Sequence, residues 1–219
     1  MNLHSSAILL STAYFPPLPY MACISGRQDI LLEKHENYCK QSFRNRCCIV
    51  SANGILPLVI PVKRNKGCKT LISEVRPDYS YKWQKLHRVS IESAYRSAPF
   101  FEYYIDDIMP FFELRYDWLL DMNTTILNTL LDILNIPANP VYTESYQKSP
   151  LSGITDARDI FHPKRWPGTN ALPFGDSLYT QVFQEKLGFI GGMSILDLLF
   201  NTGPDSVNIL HSIRDTYTC

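Results

Sequence analysis

A chain of 219 residues, 45% hydrophobic and 19% charged, can bury a sizeable core and lies outside the composition of disordered proteins. Its 21 Lys and Arg balance 21 Asp and Glu, which excludes a broad electrostatic grip on nucleic acid or on an anionic membrane. No apolar run approaches the length that spans a bilayer, and Ala7 to Ala13, with no basic segment before it, reads as a buried strand and not as a signal peptide.

In chain order, Ile8 to Ala13 predicts a first strand, stopped by Pro16, Pro17 and Pro19. Tyr20 to Ile24 predicts a short helix ended at Gly26, and Asp29 to Glu33 a second strand. Cys47 to Val50 and Ile55 to Val62 flank Asn53-Gly54, a pair that tolerates the positive φ of a tight turn, so a hairpin is expected there. Pro57 and Pro61 lack donors on the same side of its second arm. That arm belongs at an edge, with its proline nitrogens turned away from the partner strand and Leu58 and Ile60 left to pair.

Trp83 to Ala98 is the clearest helix. Trp83, Leu86, His87, Ile91, Ala94, Tyr95 and Ala98 are assigned to the core face, and Gln84, Lys85, Arg88, Glu92 and Arg96 to the other. Phe101 to Phe112 predicts a second helix interrupted at Pro110, and Leu119 to Leu134 a third, stopped before Pro137. From Ala138 to Asp176, Pro140, Pro150, Pro163, Pro167 and Pro173 punctuate a mostly polar stretch that reads as a functional flap or wrapping loop. Tyr179 to Leu187 predicts a helix ended at Gly188. Ser194 to Asn201 predicts another, with Ser194 and Asp197 as a capping box and Gly203-Pro204 closing it; Asp205 caps a last helix to His211. These elements predict one α/β domain over residues 1–219: a central sheet with an Asn-Gly hairpin, packed by several amphipathic helices, with 138–176 as the flap.

The six cysteines form no Cys-x-x-Cys pair, and the sequence holds no His-Glu-x-x-His, so a zinc site has no signature. The cysteines read as small buried hydrophobes in a reducing cytoplasm. The densest polar cluster runs from Glu36 to Arg46, where Lys40, Arg44 and Arg46 stand among Glu36, Tyr38, Asn45 and the further polar side chains of Asn37, Gln41 and Ser42. Such a cluster between apolar strands suits a phosphate or carboxylate, or else forms a solvated loop with locally paired charges. Tyr14 to Tyr20 follows the first strand, where open α/β sheets gather ligands, although proline-stiffened core packing is the plainer reading. His87 lies on the apolar face of its helix and reads first as a buried core histidine, which makes a metal role unexpected. Asp156, Arg158, Asp159, His162 and Lys164 sit in the flap and could close over a ligand. The phosphate-cradling glycines of a dinucleotide site or P-loop are absent, so the cofactor stays unassigned, as does the oligomeric state.

The order of motifs resembles the WbqC-like family, found around bacterial surface-polysaccharide gene clusters. The likeness rests on the first strand running into Tyr14-Phe15-Pro16 and Tyr20, then Tyr38-x-Lys40-x-Ser42-Phe43-x-Asn45-Arg46, Asn53-Gly54, Ile60-Pro61-Val62, Trp83, Ala94-Tyr95 and Pro99-Phe100-Phe101. The ending, Tyr179-x-Gln181-x-Phe183 and Ser194 to Pro204, looks like a Bacteroidetes-type branch. The chain departs from the family at Ser11, Pro19, Lys34-His35 and Cys48.

The resemblance implies modification of an amino sugar or sugar acid by amide-forming acyl or aminoacyl transfer, on a small-molecule substrate such as a nucleotide-activated sugar, in the cytoplasm. In that reading Lys40, Arg44 and Arg46 hold an anionic group, Tyr14 and Tyr20 stack on a ring, and Glu36 or His87 moves a proton. Tyr14, Tyr20, Lys40, Asn45 and Arg46 are then expected to converge on one pocket beneath the flap, with Tyr38 beside them. The competing function is a noncatalytic ligand-binding or interaction subunit, whose interface would be the aromatic-rich stretch from Tyr95 to Phe112.

Overall fold

The computed structural model describes residues 7–63, 69–150, 152–163 and 178–216. Four parallel strands form the central sheet: β1 (Ala7–Ser11), β2 (Asp29–Glu33), β7 (Asn139–Tyr142) and β8 (Ile154–Asp156), in the order β7-β2-β1-β8. The inner strands, AILLS and DILLE, are near-continuous apolar runs, as parallel strands covered on both faces require. They pair from Ile8↔Ile30 to Ser11↔Glu33, so both end at the same level.

β7 and β8 lie inside the stretch expected to be a flap. That reading is corrected for these residues: the proline-rich segment supplies both edges of the sheet. Pro140 sits opposite Ile30 on edge strand β7, a position where a missing donor is tolerated. The remainder of the expected flap from 164 to 176, Lys164 included, lies outside the described residues.

β3 (Arg46–Ser51) and β4 (Gly54–Val59) form a separate antiparallel pair, and β5 (Val62–Lys63) with β6 (Arg76–Pro77) another. The expected Asn53-Gly54 turn is corrected. Ala52 and Asn53 link the strands, Gly54 already pairs with Ser51, and of these residues only Gly54 has a positive φ, +101°. Ser51 ties the turn, its Oγ accepting from the Asn53 N–H at 3.4 Å and donating to the Gly54 carbonyl at 2.8 Å. The prolines behave as expected: Pro57 stands opposite Cys48, and the Ile60 N–H donates to the Asn45 carbonyl at 2.8 Å, which puts the Pro57 and Pro61 nitrogens on the far side.

The helices are α1 (Leu18–Ile24), α2 (Trp83–Tyr95), α3 (Phe101–Ile108), α4 (Leu119–Ile133), α5 (Gln184–Leu187), α6 (Ile195–Thr202) and α7 (Ser206–Thr216). A 3₁₀ turn over Met109–Phe112 follows α3 at Pro110, as the interruption predicted. On α2, Trp83, His87, Ile91, Ala94 and Tyr95 are buried, but Leu86 is 63% exposed. At 3.6 residues per turn Leu86 lies about 100° from His87, at the border of the apolar stripe. α5 is shorter than expected because Tyr179 and Gln181 spend their side chains on Asp197 of α6. The capping box at α6 is corrected too: Ser194 Oγ accepts from the Leu196 N–H at 3.3 Å, while the Asp197 carboxylate points into the core.

The aromatic stretch expected to be an interface is mostly core. Tyr95, Phe101, Tyr104, Phe111 and Phe112 are buried, and Tyr103 is the exposed exception at 75%. Each fully buried ring or aliphatic side chain contributes roughly 1.5–3 kcal/mol, so this face stabilises the fold. The expectation of buried, reduced cysteines holds at Cys47 and Cys48; it fails at Cys39, which is exposed, and at Cys23, which is disulfide-bonded. Cys68 and Cys219 lie outside the described residues.

Candidate functional site

Three of the four parallel strands end in a polar residue: Ser11 on β1, Glu33 on β2 and Asp156 on β8. Ligands of open α/β sheets gather outside such carboxyl ends, and here the strand ends are wired together by two buried arginines. Arg44, 6% exposed, donates from Nε to Glu36 Oε1 at 2.7 Å and from Nη2 to Ser11 Oγ at 2.7 Å and Glu36 Oε2 at 2.5 Å. Ser11 Oγ lies 3.0 Å from Glu36 Oε2 and 3.1 Å from the Arg158 carbonyl. Asn123 of α4 fixes the Arg44 backbone, donating to its carbonyl at 2.8 Å.

Arg158 is the second post. Its Nε and Nη2 grip Asp156 at 2.9 and 2.6 Å, and Nη1 reaches Glu33 at 3.3 Å. It also donates to the carbonyls of Gln147 and Lys148, and its guanidinium lies 5.1 Å from the Tyr146 ring centre. One side chain thus moors the segment after β7 to the ends of β2 and β8. Glu33, fully buried, accepts further from the His35 N–H at 2.9 Å and from Thr143 Oγ1 at 2.7 Å.

The charge states follow. Burial would lower the Arg44 guanidinium, but the hydrogen bond and charge of Glu36 outweigh it and hold the pKa above its ordinary value. The hydrogen bond from Arg158 holds the Asp156 carboxyl below the usual carboxylate range. Burial, reinforced by Glu36, pushes the Tyr20 phenol up, so it stays a neutral donor, bonded to the Ser11 carbonyl at 2.9 Å.

Above this network lies a cavity of about 570 Å³. Glu36, Arg44 and Arg158 form its buried floor, with His35, Cys39, Tyr146, Lys148 and Asp159 around the wall. The Lys148 ammonium has no hydrogen bond or ion pair among the described residues, while Asp159 adds a favourable charge beside the Arg44 guanidinium without a hydrogen bond to it. The His35 ring is fixed by Nε2, 3.2 Å from the Thr143 carbonyl. A carbonyl only accepts, so Nε2 carries the proton and Nδ1 is the free basic nitrogen.

Of the polar cluster from Glu36 to Arg46 and the Tyr14 to Tyr20 stretch, the candidate residues that line this cavity are Glu36 and Arg44. The expected convergence of Tyr14, Tyr20, Lys40, Asn45 and Arg46 is not found. Tyr20 borders a narrow cleft beneath, beside Ser11 and Arg44. Lys40 is exposed, Tyr38 packs against the core edge, and Asn45 turns inward to donate to the Ile60 carbonyl at 2.7 Å. Arg46 is half-buried on β3. Tyr14 is fully buried, in a turn whose next residue, Phe15, holds a strained φ of +38°. Flap residues Asp156, Arg158 and Asp159 do reach the site. Sequence reasoning missed Ser11, Glu33, His35 and Tyr146, although strand-end position alone points to the first three.

His87 belongs to the core and not to the cavity. It is 1% exposed, and its Nδ1 meets the Tyr14 hydroxyl at 2.9 Å. Burial pushes its pKa down to about 4, against a smaller opposing effect of a hydrogen bond with the Val59 backbone. An unfolded histidine titrates near 6.5, so between these values the unfolded chain binds the extra proton. The stability contributed by neutral His87 is complete above pH 6.5 and is lost as pH falls toward 4, by about 1.4 kcal/mol per unit. Urea unfolding of His87→Phe should lack that slope; an identical slope in the variant would contradict the assignment.

Residues 12–162, which hold most of this network from Glu33 to Arg158, match the model of the WbqC-like protein family. The chain belongs to that family. It is also similar to the Uncharacterized protein Rv1507c of Mycobacterium tuberculosis, with 23% identity over 231 residues that cover 94% of this chain and 97% of the relative. No solved structure matches. The family match begins one residue after Ser11 and ends just past the Arg158 post, so the sheet ends and their charge network lie almost wholly inside the family's shared region. Among the described residues no helix of this WbqC-like chain is long and apolar enough to cross a membrane.

Proposed function

We propose that this chain is a cytoplasmic group-transfer enzyme that moves an activated acyl or aminoacyl group onto the amine of an amino sugar or of an amine-bearing sugar acid, forming an amide, in surface-polysaccharide biosynthesis. The observation that carries the reading is the cavity: its floor is bonded within itself, while Arg44 Nη1, Lys148 and His35 Nδ1 make no hydrogen bond around it among the described residues. Fixed charge aimed into a pocket is what stabilises developing charge in acyl transfer. The polysaccharide context is what the resemblance of the sequence motifs implies.

In this mechanism Arg44 Nη1 and Lys148 hold the anionic group of a substrate. The amine attacks the activated acyl carbon, the C–N bond forms and the bond to the leaving group breaks. The amine proton passes to His35 Nδ1. Glu36 has both oxygens committed to Arg44 and Ser11, so it is a positioning residue and not the proton carrier the sequence suggested. The interaction-subunit alternative loses its aromatic interface to the core. Deleting the gene in its own cell should remove an amide-linked substituent from the surface polysaccharide, seen as a mass loss per repeat unit and restored by the wild-type gene. An unchanged repeat-unit mass would sink the proposal.

A further inference from the structure

A second concavity, a groove of about 550 Å³, runs between the N-terminal turns of α2 and residues 112–115. Four cations line it, Lys82, Lys85, Arg88 and Arg115, against one carboxylate, Glu92. Arg88 is neutralised, with Nε 2.8 Å from Glu92 and Nη1 3.6 Å from Glu113. Lys82, Lys85 and Arg115 form no ion pair among the described residues. The first turn of α2 holds no acidic residue, so both lysines stand where the helix dipole disfavours a cation. In a chain of zero net charge this is a local concentration of positive charge with no internal partner.

The walls are firm. The Tyr79 hydroxyl accepts from the Tyr116 N–H at 2.8 Å, and Gln84 Nε2 donates to the Leu114 carbonyl at 2.7 Å, which ties α2 to the facing segment. Arg115 lies over the Tyr79 ring at 5.3 Å. At the mouth, Tyr81 is 63% exposed and stacks on no other ring among the described residues.

We propose that this groove binds a nucleoside diphosphate, with its phosphates among Lys82, Lys85 and Arg115 and its base on Tyr81. Ammonium and guanidinium donors suit phosphate oxygens, an exposed phenol ring suits a planar base, and the volume lies within the roughly 300–1,000 Å³ of small-molecule sites. The proposal does not depend on the transfer reaction at the strand ends. The test is calorimetric titration of the full chain with ADP, UDP and inorganic pyrophosphate. Saturable binding of both nucleotides is expected, weakened roughly tenfold or more in Lys82→Glu/Lys85→Glu. Lys69→Glu/Arg96→Glu, the same charge change elsewhere, should leave it unaltered. Tyr81→Ala should weaken both nucleotides about fivefold and spare pyrophosphate. Absence of saturable nucleotide binding, equal weakening in the control pair, or indifference to Tyr81→Ala overturns the assignment. So does loss of binding on Lys148→Glu with the groove variants silent.

Discussion

Arg44→Ala should cost the fold about 3–5 kcal/mol, because it strands the Glu36 carboxylate and Ser11 in a site where the paired side chains are only 7% and 9% exposed. The cost comes from the partner left behind, not from the intrinsic worth of the ion pair. Replacing both members by apolar residues of similar volume, Arg44→Met with Glu36→Leu, should therefore restore most of the loss while removing the charged floor of the cavity. Urea unfolding at neutral pH reads both variants, with an unchanged m-value certifying that the folded state stays compact. A single alanine variant as stable as the wild type would mean that the network is solvent-relaxed and cannot hold a fixed site.

Asp197→Ala should be comparably severe, at about 4 kcal/mol, since three donors lose a buried acceptor together. Tyr95 donates to Oδ1 at 2.9 Å, and Tyr179 and Gln181 donate to Oδ2 at 2.5 and 2.7 Å, with Asp197 fully buried. The site holds no cation among the described residues, so burial lifts the carboxyl above its ordinary 3.8, opposed by the hydrogen bonds from Tyr179, Gln181 and Tyr95. The folded chain then binds this proton more tightly than the unfolded chain. Its contribution to stability falls as pH rises from 3.8 through the raised value and is constant outside that window, opposite in sign to His87. Asp197→Asn should cost less, about 1–2 kcal/mol, and abolish that component of the pH profile. Chemical denaturation across pH checks both; a stability difference between Asp197→Asn and wild type that is flat through the acid range would contradict the buried, cation-free carboxylate.

The sequence made the elements with long apolar periodicity legible. β2 has the expected bounds, and α2, α4 and α6 differ from theirs by a few residues, because helical spacing and continuous apolar runs register burial directly. β7 and β8 were not legible. They are short edge strands, mostly half-buried or exposed, one of them carries Pro140, and their pairing is fixed by chain segments more than a hundred residues away. The turn after β3 misled for a local reason: the Ser51 hydroxyl stabilises a turn one residue earlier than Asn-Gly chemistry favours.

At the site, composition located Glu36 and Arg44 but not their neighbours. Lys40, Asn45 and Arg46 share the cluster's sequence, yet the loop turns Asn45 inward and leaves Lys40 in solvent. Ser11, Glu33 and His35 belong to no motif; only the shared level at which parallel strands end brings them together. Arg158 was visible as a charged residue, but its role as the post joining β2, β8 and the Tyr146 segment needed the fold.

Chemistry in the strand-end cavity needs a group that takes the amine proton, and His35 is the residue to vary because its ring bonds a backbone carbonyl and carries no ion-pair partner among the described residues. The measurement is the repeat-unit mass of surface polysaccharide from gene-deleted cells complemented with His35→Gln, beside thermal melts of the purified variant. The polysaccharide should still lack its amide-linked substituent, with the variant's melting temperature within about 2 °C of wild type. Full restoration of the substituent by His35→Gln would contradict it.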